Sequence, residues 1–390
     1  MTATQAKEVC KAAVTSSREN LIALSHKIHD NPETGFAEER AAAWCADELR
    51  RSGYEVEVGV CGLPTSVSAT IGSGPLVVAI CAEYDALPEL GHACGHNVIA
   101  SAAVGASLGL APIADDLGLT VRLLGTPAEE GGGGKILMME RGAFDGVNAA
   151  LMVHPAPTES DRMPCLAVNQ FDAIYTGREA HAAGSPERGI NAADALTISQ
   201  VAIGLLRQHS NPGDQVHGIV TCGGAAPNIV PAHTSARFYV RAETLERLAE
   251  WEPRVRRCFE AGALATGACL EIVPVCPPYS EFVTDEPMAA LYRENAQAIG
   301  RVFPTDDEGV LKASTDMANV SRSIPSIHPL LAIDSLPAVN HQPGFADAAA
   351  GPAADRAVID GALGMAWTVI DLATEEPTRA RLLATSYRHG

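Results

Sequence analysis

The chain has no pair of cysteines in a Cys-x-x-Cys arrangement, although ten cysteines are spread over its 390 residues. This dispersed pattern is typical of a reducing compartment rather than of a disulfide-stabilised scaffold. Basic residues are scarce, with 28 Lys and Arg against 47 Asp and Glu, and the net charge is −19. Such a charge argues against a nucleic-acid or anionic-membrane partner, because both need a basic face. We therefore expect a cytoplasmic globular protein.

Long hydrophobic segments are also missing. Residues 1–17 contain no continuous apolar segment, so no signal peptide is expected. The most apolar window, residues 98–114, is short and is interrupted by Ser, Gly and Pro. A window of this kind favours a buried helix over a membrane span.

Several well-known catalytic motifs are absent from the sequence. It contains no HExxH pattern and no CxxCH pattern. The glycine run that ends at Lys135 departs from the phosphate-binding pattern GxxxxGK[ST], because Glu129 occupies the first glycine position and Ile136 the last. Nucleotide binding is therefore not expected.

The length and the 47% apolar composition allow a large core and two domains. In residues 1–168 and 284–390, predicted strands alternate with helices, which indicates an α/β fold with a mostly parallel sheet. Residues 169–283 follow the order βαββαβ, the order of a ferredoxin-like module. We predict that this module is inserted into the larger domain.

The residues best suited to chemistry follow the apolar run Leu76–Ala82, which predicts a buried parallel strand. Asp85, Cys94 and His96 come within 14 residues of its end, where α/β proteins usually bind ligands. Gly95 permits a turn that lets its two neighbours reach one centre. This context favours metal binding by Cys94 over simple packing.

Three other predicted strands lead to metal-binding residue types, namely Glu129 with Glu130, His154 and His341. Adjacent carboxylates repel each other unless a cation is near, and such a pair allows one to bind metal while the other acts as a base. His154 and His341, taken singly, are equally consistent with buried core histidines. One thiolate, one carboxylate and three imidazoles exceed the needs of one catalytic zinc and suit two ions that share a water molecule.

Five segments spread over the chain carry a family resemblance: EYDALPELGHACGHN, GTPAEEGG, GREAHAAGSPERGINAADAL, GGAAPNIVPAH and STDMANVS. In matching order, they resemble the metallo-amidase superfamily of aminoacylases, amino-acid-conjugate hydrolases and co-catalytic carboxypeptidases. The most similar branch contains p-aminobenzoyl-glutamate hydrolase and dipeptidases that act on β-alanyl-lysine type dipeptides. Two departures from the conjugate hydrolases, Glu83-Tyr84 before Asp85 and Asn97 after His96, concern the substrate more than the metal centre.

The resemblance implies a role for each candidate residue. The implied metal ligands are Cys94, His96, Glu130, His154 and His341. Glu129 is the implied general base, and Asp85, which spacing alone leaves open between ligand and support, matches a supporting aspartate. The inserted module matches a lid and dimerisation domain, in which His181 stabilises the oxyanion and Asn228 lies near the substrate. Without the resemblance, the preferred interpretation of His181 is a surface histidine, and that of Asn228 is a turn residue.

Together these features predict a metal-dependent amidohydrolase that cleaves a small N-acyl amino acid or dipeptide-like amide with a free carboxylate. We expect two divalent ions, zinc or manganese, with cobalt and nickel also compatible. We also expect a homodimer formed through the inserted module. One alternative is a metal-stabilised binding protein of the same fold without activity. Another is a thiol redox protein built on Cys94, which the absence of a CxxC partner disfavours.

Overall fold

The computed structural model describes residues 1–305 and 312–389, and the chain divides into two compact units. Unit 1 comprises Met1–Pro164 and Phe282–Gly390, and unit 2 comprises Cys165–Glu281. The sequence-based borders were 168/169 and 283/284. Positions 306–311 and 390 of the predicted larger domain lie outside the described residues.

Unit 1 is built from helices and short strands in alternation. Its helices are α1 (Ala3–Ser16), α2 (Arg18–His29), α3 (Glu39–Arg51), α4 (His96–Leu110), α5 (Gly134–Glu140), α8 (Glu286–Ala298), α9 (Met317–Ser321), α10 (Pro343–Ala348), α11 (Pro352–Thr374) and α12 (Glu376–Leu383). Its strands are β1 (Glu55–Val58), β2 (Val67–Ile71), β3 (Leu76–Ala82), β4 (Leu119–Gly125), β5 (Ala149–Leu151), β6 (His154–Ala156), β11 (Ser326–Ile327) and β12 (Leu330–Ala332).

The main sheet of unit 1 has the order β1-β2-β4-β3-β5-β11. Strands β4, β3, β5 and β11 run parallel, whereas β1 and β2 form an antiparallel edge. A separate parallel pair joins β6 to β12. The predicted α/β fold with a mostly parallel sheet is confirmed.

Strand β3 lies in the middle of this sheet, and six of its seven residues are buried. This burial explains its unbroken run of apolar residues, since a strand covered on both faces has no solvent side. Helix α4 is buried at every position and packs against β3 and α11. Both α4, with its short extension to Ile113, and α11 are long and apolar enough to cross a membrane, but each is 89% buried within the structure, as core helices are.

Unit 2 has the predicted order βαββαβ. Its elements are β7 (Ala167–Thr176), α6 (Ala192–Leu206), β8 (Gln215–Cys222), β9 (His233–Ala242), α7 (Leu245–Thr266) and β10 (Cys269–Pro274). The strands form one antiparallel sheet in the order β10-β7-β9-β8. Phe171, Phe238 and Phe259 pack edge to face in its core. All ten cysteines of the chain are free thiols.

Candidate metal centre

The loop after β3 carries the first group of site residues to the start of α4. Gly95, the residue before α4, has φ of +76°, and a Cβ atom built there would lie 2.8 Å from Pro155 Cγ. A glycine is therefore needed for both backbone conformation and close packing. Its neighbours, Cys94 and His96, lie on either side of this contact.

A first cluster of possible ligands consists of Cys94, His96 and His154, whose donor atoms all lie within 4.8 Å of one another. Cys94 Sγ lies 3.6 Å from His154 Nε2. The other ring nitrogen of His154 donates to the carbonyl of Pro155 at 2.7 Å. This hydrogen bond leaves the lone pair on Nε2, the nitrogen that faces the thiol.

A second cluster consists of Cys94, Glu130 and His341, again within 4.8 Å. His341 Nε2 lies 3.5 Å from Glu130 Oε2. The backbone of His341 has φ of +67°, and its N–H donates to the carbonyl of Ala93 at 2.8 Å. A non-glycine residue in this conformation is strained by about 1–3 kcal/mol, which is common where a side chain must be aimed at a functional site.

Asp85 supports both clusters with its two carboxylate oxygens. Oδ1 accepts from His96 Nδ1 at 2.9 Å, and Oδ2 accepts from the backbone N–H of Glu130 at 3.0 Å. The first contact places the His96 lone pair on Nε2, and the second fixes the loop that carries the carboxylate pair. Asp85 is therefore arranged to orient ligands.

The distances between these atoms suit shared ions. With metal–ligand bonds of about 2.0–2.3 Å, two ligands on a tetrahedral ion lie about 3.4 Å apart, or about 3.6 Å when one is sulfur. The observed separations are 3.6 Å for Cys94 with His154 and 3.5 Å for Glu130 with His341. Because Cys94 belongs to both clusters, its thiolate could serve as a ligand in either of them.

Buried polar atoms at the site also indicate a bound cation. His96 Nε2 and Glu130 Oε1 are buried and have no hydrogen-bond partner among the described residues. They lie 3.8 Å apart, and an oxygen of Glu129 lies 3.9 Å from the same nitrogen. Buried atoms of this kind require an explanation. The donor set of thiolate, imidazole and carboxylate fits zinc or another divalent transition metal.

The electrostatics of the site also favour a bound cation. Burial raises the pKa of the Cys94 thiol, but His154, His341 and His96 outweigh burial and hold that pKa well below its usual range. Burial, followed by the charges of Glu83 and Glu130, raises the pKa of Glu129 well above its usual range. Burial, followed by the Cys94 charge, raises the pKa of Glu130 to about 7. The site thus holds a thiolate among crowded acids, which divalent cations would stabilise.

The two remaining predicted residues belong to unit 2. His181 Nδ1 accepts from the backbone N–H groups of Ala183 at 3.2 Å and Gly184 at 3.0 Å, so the neutral ring carries its proton on Nε2. The N–H of Ala182 donates to the carbonyl of Asn228 at 3.0 Å, and His181 pairs with Ile229 in a β-bridge. His181 and Asn228 are therefore neighbours on exposed loops of unit 2.

Sequence reasoning missed several residues around the centre. Lys135 and Asp316 are fully buried ion-pair partners, and Lys135 also contacts Glu83. His328 is buried with its ring centroid 5.6 Å from that of His154. A signal for His328 was present, because a His-Pro pair follows a short strand there, as it does at His154.

The chain is similar to known proteins along most of its length. A family model described as Peptidase family M20/M25/M40 matches residues 79–354. The Xaa-Arg dipeptidase of Mus musculus is 36% identical over 381 residues, covering 92% of this chain and 87% of that protein. One of the subunits of the p-aminobenzoyl-glutamate hydrolase of Escherichia coli is 34% identical over 280 residues, covering 66% of this chain and 58% of its own length.

Solved structures share the fold. A Bacillus subtilis protein, described as a dinuclear metal binding peptidase from the M20 family, has a TM-score of 0.68 at 21% identity and covers 92% of this chain and 99% of its own. An aminobenzoyl-glutamate utilization protein from Klebsiella pneumoniae has a TM-score of 0.73 at 20% identity, with 93% and 97% covered. The family matches the resemblance found in the sequence. The chain belongs to peptidase family M20/M25/M40 and is a dipeptidase-like metallo-hydrolase.

Proposed function

We propose that the protein is a two-metal amidohydrolase that cleaves a dipeptide or a small N-acyl amino acid with a free carboxylate. The observation that carries the proposal is the position of Cys94, whose sulfur belongs to both ligand clusters. One ion would be held by Cys94, His96 and His154, and the other by Cys94, Glu130 and His341. Zinc and manganese suit this donor set, and cobalt and nickel are compatible with it.

Two divalent ions bound here would lower the pKa of a shared water molecule and polarise the scissile carbonyl. Glu129 is the candidate base, because its carboxylate lies beside His96 and is 7% exposed. It would take the proton of the attacking water and then deliver it to the leaving amine. Its neighbour Glu130 would bind metal, so the two adjacent acids divide the two tasks.

His181 is the candidate donor to the oxyanion. Its Nδ1 accepts two backbone hydrogen bonds, so Nε2–H is presented for donation. A single donor to a developing oxyanion is typically worth about 3 kcal/mol. Asn228, which lies beside His181 in unit 2, is proposed to contact the substrate.

The relatives support the substrate class. The names of the mouse and human relatives refer to dipeptides that end in arginine, and that of the E. coli relative refers to p-aminobenzoyl-glutamate. Both kinds of compound have an amide bond to an amino acid with a free carboxylate. We propose that this bond is the one cleaved, with dipeptides tested first because those relatives cover most of the chain.

A homodimer through unit 2 is also part of the proposal. Strand β8 is at the edge of its sheet and exposes Ile219 and Val220. Helix α6 exposes Val201 and Leu205. Exposed edge strands and apolar side chains are common at interfaces between protein chains. Light scattering should give twice the chain mass, and a monomer at micromolar concentration would contradict this part.

The test compares two neighbouring variants, Glu129→Gln and Glu130→Gln. Each is loaded with zinc or manganese and assayed with Xaa-Arg dipeptides, p-aminobenzoyl-glutamate and acetyl amino acids, while bound metal is counted by mass spectrometry. We expect Glu129→Gln to keep its metal and to lose activity by at least about a hundredfold. Glu130→Gln should lose metal and, with it, activity.

The outcomes separate the alternatives. Equal activity of wild type and Glu129→Gln would show that Glu129 is not the general base. Loss of metal by both variants would contradict the division of tasks. A wild-type protein with full metal and no turnover on any amide would favour a binding protein of the same fold.

A further inference from the structure

A buried ion network lies directly beside the proposed metal centre, in unit 1. Its centre is Lys135, whose ammonium contacts a carboxylate oxygen of Glu83 and lies 2.6 Å from Asp316 Oδ1. The backbone N–H of Lys135 donates to the other oxygen of Asp316 at 2.9 Å. All three side chains are 0% exposed. Burying these charges is costly, so the network requires a reason beyond stability.

The two oxygens of Glu83 are in different situations. Oε1 is engaged by Lys135, whereas Oε2 is buried without a hydrogen-bond partner among the described residues. Oε2 lies 3.6 Å from His96 Nε2, which is beyond hydrogen-bond range for this pair. It also forms, with His96 and Glu129, a third group whose donor atoms lie within 4.8 Å of one another.

The separation of 3.6 Å is close to the value of about 3.4 Å expected for a nitrogen and an oxygen bound to one tetrahedral ion. His96 can use only Nε2 for metal, because Nδ1 contacts Asp85 at 2.9 Å. A metal ion on that lone pair would therefore also meet Oε2 of Glu83. One ion thus accounts for two buried atoms that otherwise lack partners.

We propose that Glu83 is a further ligand of the ion bound by His96, and that Lys135, itself fixed by Asp316, turns one oxygen of Glu83 towards that ion. The inference rests on the proposed two-metal centre. With Glu83 added, this ion has four protein ligands, and the ion at Glu130 has three. A further protein ligand holds an ion more tightly, and the shared water would then be a fifth ligand of the ion on His96, a coordination number that catalytic zinc sites also reach. The ion at Glu130 is then the more exchangeable one.

The test measures the affinity of the metal-free protein for zinc by competition with a chromogenic chelator. Wild type should bind two ions per chain in two distinguishable steps. Glu83→Gln should weaken the tighter step by at least about tenfold and leave the weaker one nearly unchanged. Because Glu83→Gln leaves Lys135 without one partner, the double variant Glu83→Gln/Lys135→Met is measured as well and should show the same weakening.

The matched control is Glu159→Gln, which removes a carboxylate of unit 1, only 4% exposed, from its pair with Arg301. This control should lose stability and keep both zinc affinities. A crystal structure of the zinc-loaded wild type gives a readout that needs no variant. Glu83 Oε2 should lie about 2.0–2.2 Å from the ion on His96.

A separation above about 3 Å in that crystal structure, or wild-type zinc affinities in a folded Glu83 variant, would overturn the ligand role of Glu83. Either result would leave the two-metal centre in place. A wild-type protein that binds fewer than two ions would instead contradict the centre itself. The two failures are therefore distinguishable.

Discussion

Replacement of Lys135 by Met should destabilise the metal-free protein severely. The side chain is 0% exposed, and its ammonium is the shared partner of Glu83 and Asp316. Removing one partner of a buried ion pair typically costs about 3–5 kcal/mol, because the remaining charge stays buried without compensation. In the variant, Asp316 still accepts a hydrogen bond from the backbone N–H of residue 135, at 2.9 Å. We therefore expect the free energy of unfolding to fall by about 4 kcal/mol rather than by twice that amount.

Calorimetry of the metal-free protein measures this loss. With about 2–4 °C per kcal/mol for a unit of this size, the melting temperature of unit 1 should fall by about 8–16 °C. Lys7→Met is the matched control, since Lys7 pairs with Asp371 but keeps 24% of its side chain exposed. A pair that keeps some contact with solvent should cost less to break than one that is fully buried. Equal losses in the two variants would refute the argument that burial makes the Lys135 network expensive to break.

Three other predictions concern the site and its surroundings. His181→Ala should lower kcat by about a hundredfold with metal content unchanged, and an unchanged kcat would exclude His181 as the oxyanion donor. Gly95→Ala should weaken zinc binding, measured by chelator competition. The backbone there is left-handed, and the added Cβ would lie 2.8 Å from Pro155. Wild-type zinc affinity in this variant would show that the loop can shift at no cost. Burial, followed by the charge of Asp85, raises the pKa of Glu38 from 4.5 to about 7. The stability that its protonated form contributes is therefore complete below pH 4.5 and is lost as the pH rises through about 7. Between pH 5 and 8, the melting temperature of Glu38→Gln should therefore fall by less than that of wild type. An equal fall in the two proteins would contradict a raised pKa of Glu38.

Much of the fold could be predicted because its signals are local. The run Leu76–Ala82 is a strand with those bounds, since a strand buried on both faces is apolar throughout. The βαββαβ order of unit 2 follows from periodicity and turn residues. Helix α1 was missed, because its buried residues, Ala6, Cys10 and Val14, form a narrow stripe of small or β-branched side chains.

The candidate site was predictable where strand ends gather metal-binding residue types, as with Cys94 and His96. The position of His154 was predicted less well, because it begins the separate strand β6 instead of following a longer β5. Lys135 could not be placed, since a lysine in a glycine-rich loop is usually solvated and nothing local reveals a partner 181 positions away. Long-range ion pairs of this kind depend on tertiary packing that local patterns do not encode.

A metal titration of activity tests the two-metal mechanism most directly. The protein is stripped of metal, and turnover of an Xaa-Arg dipeptide is followed as zinc or manganese is returned in known amounts. We predict no turnover without metal and a rise that is complete at about two ions per chain. Activity that survives full removal of metal, or none after two ions are bound on any amide tested, would contradict this mechanism.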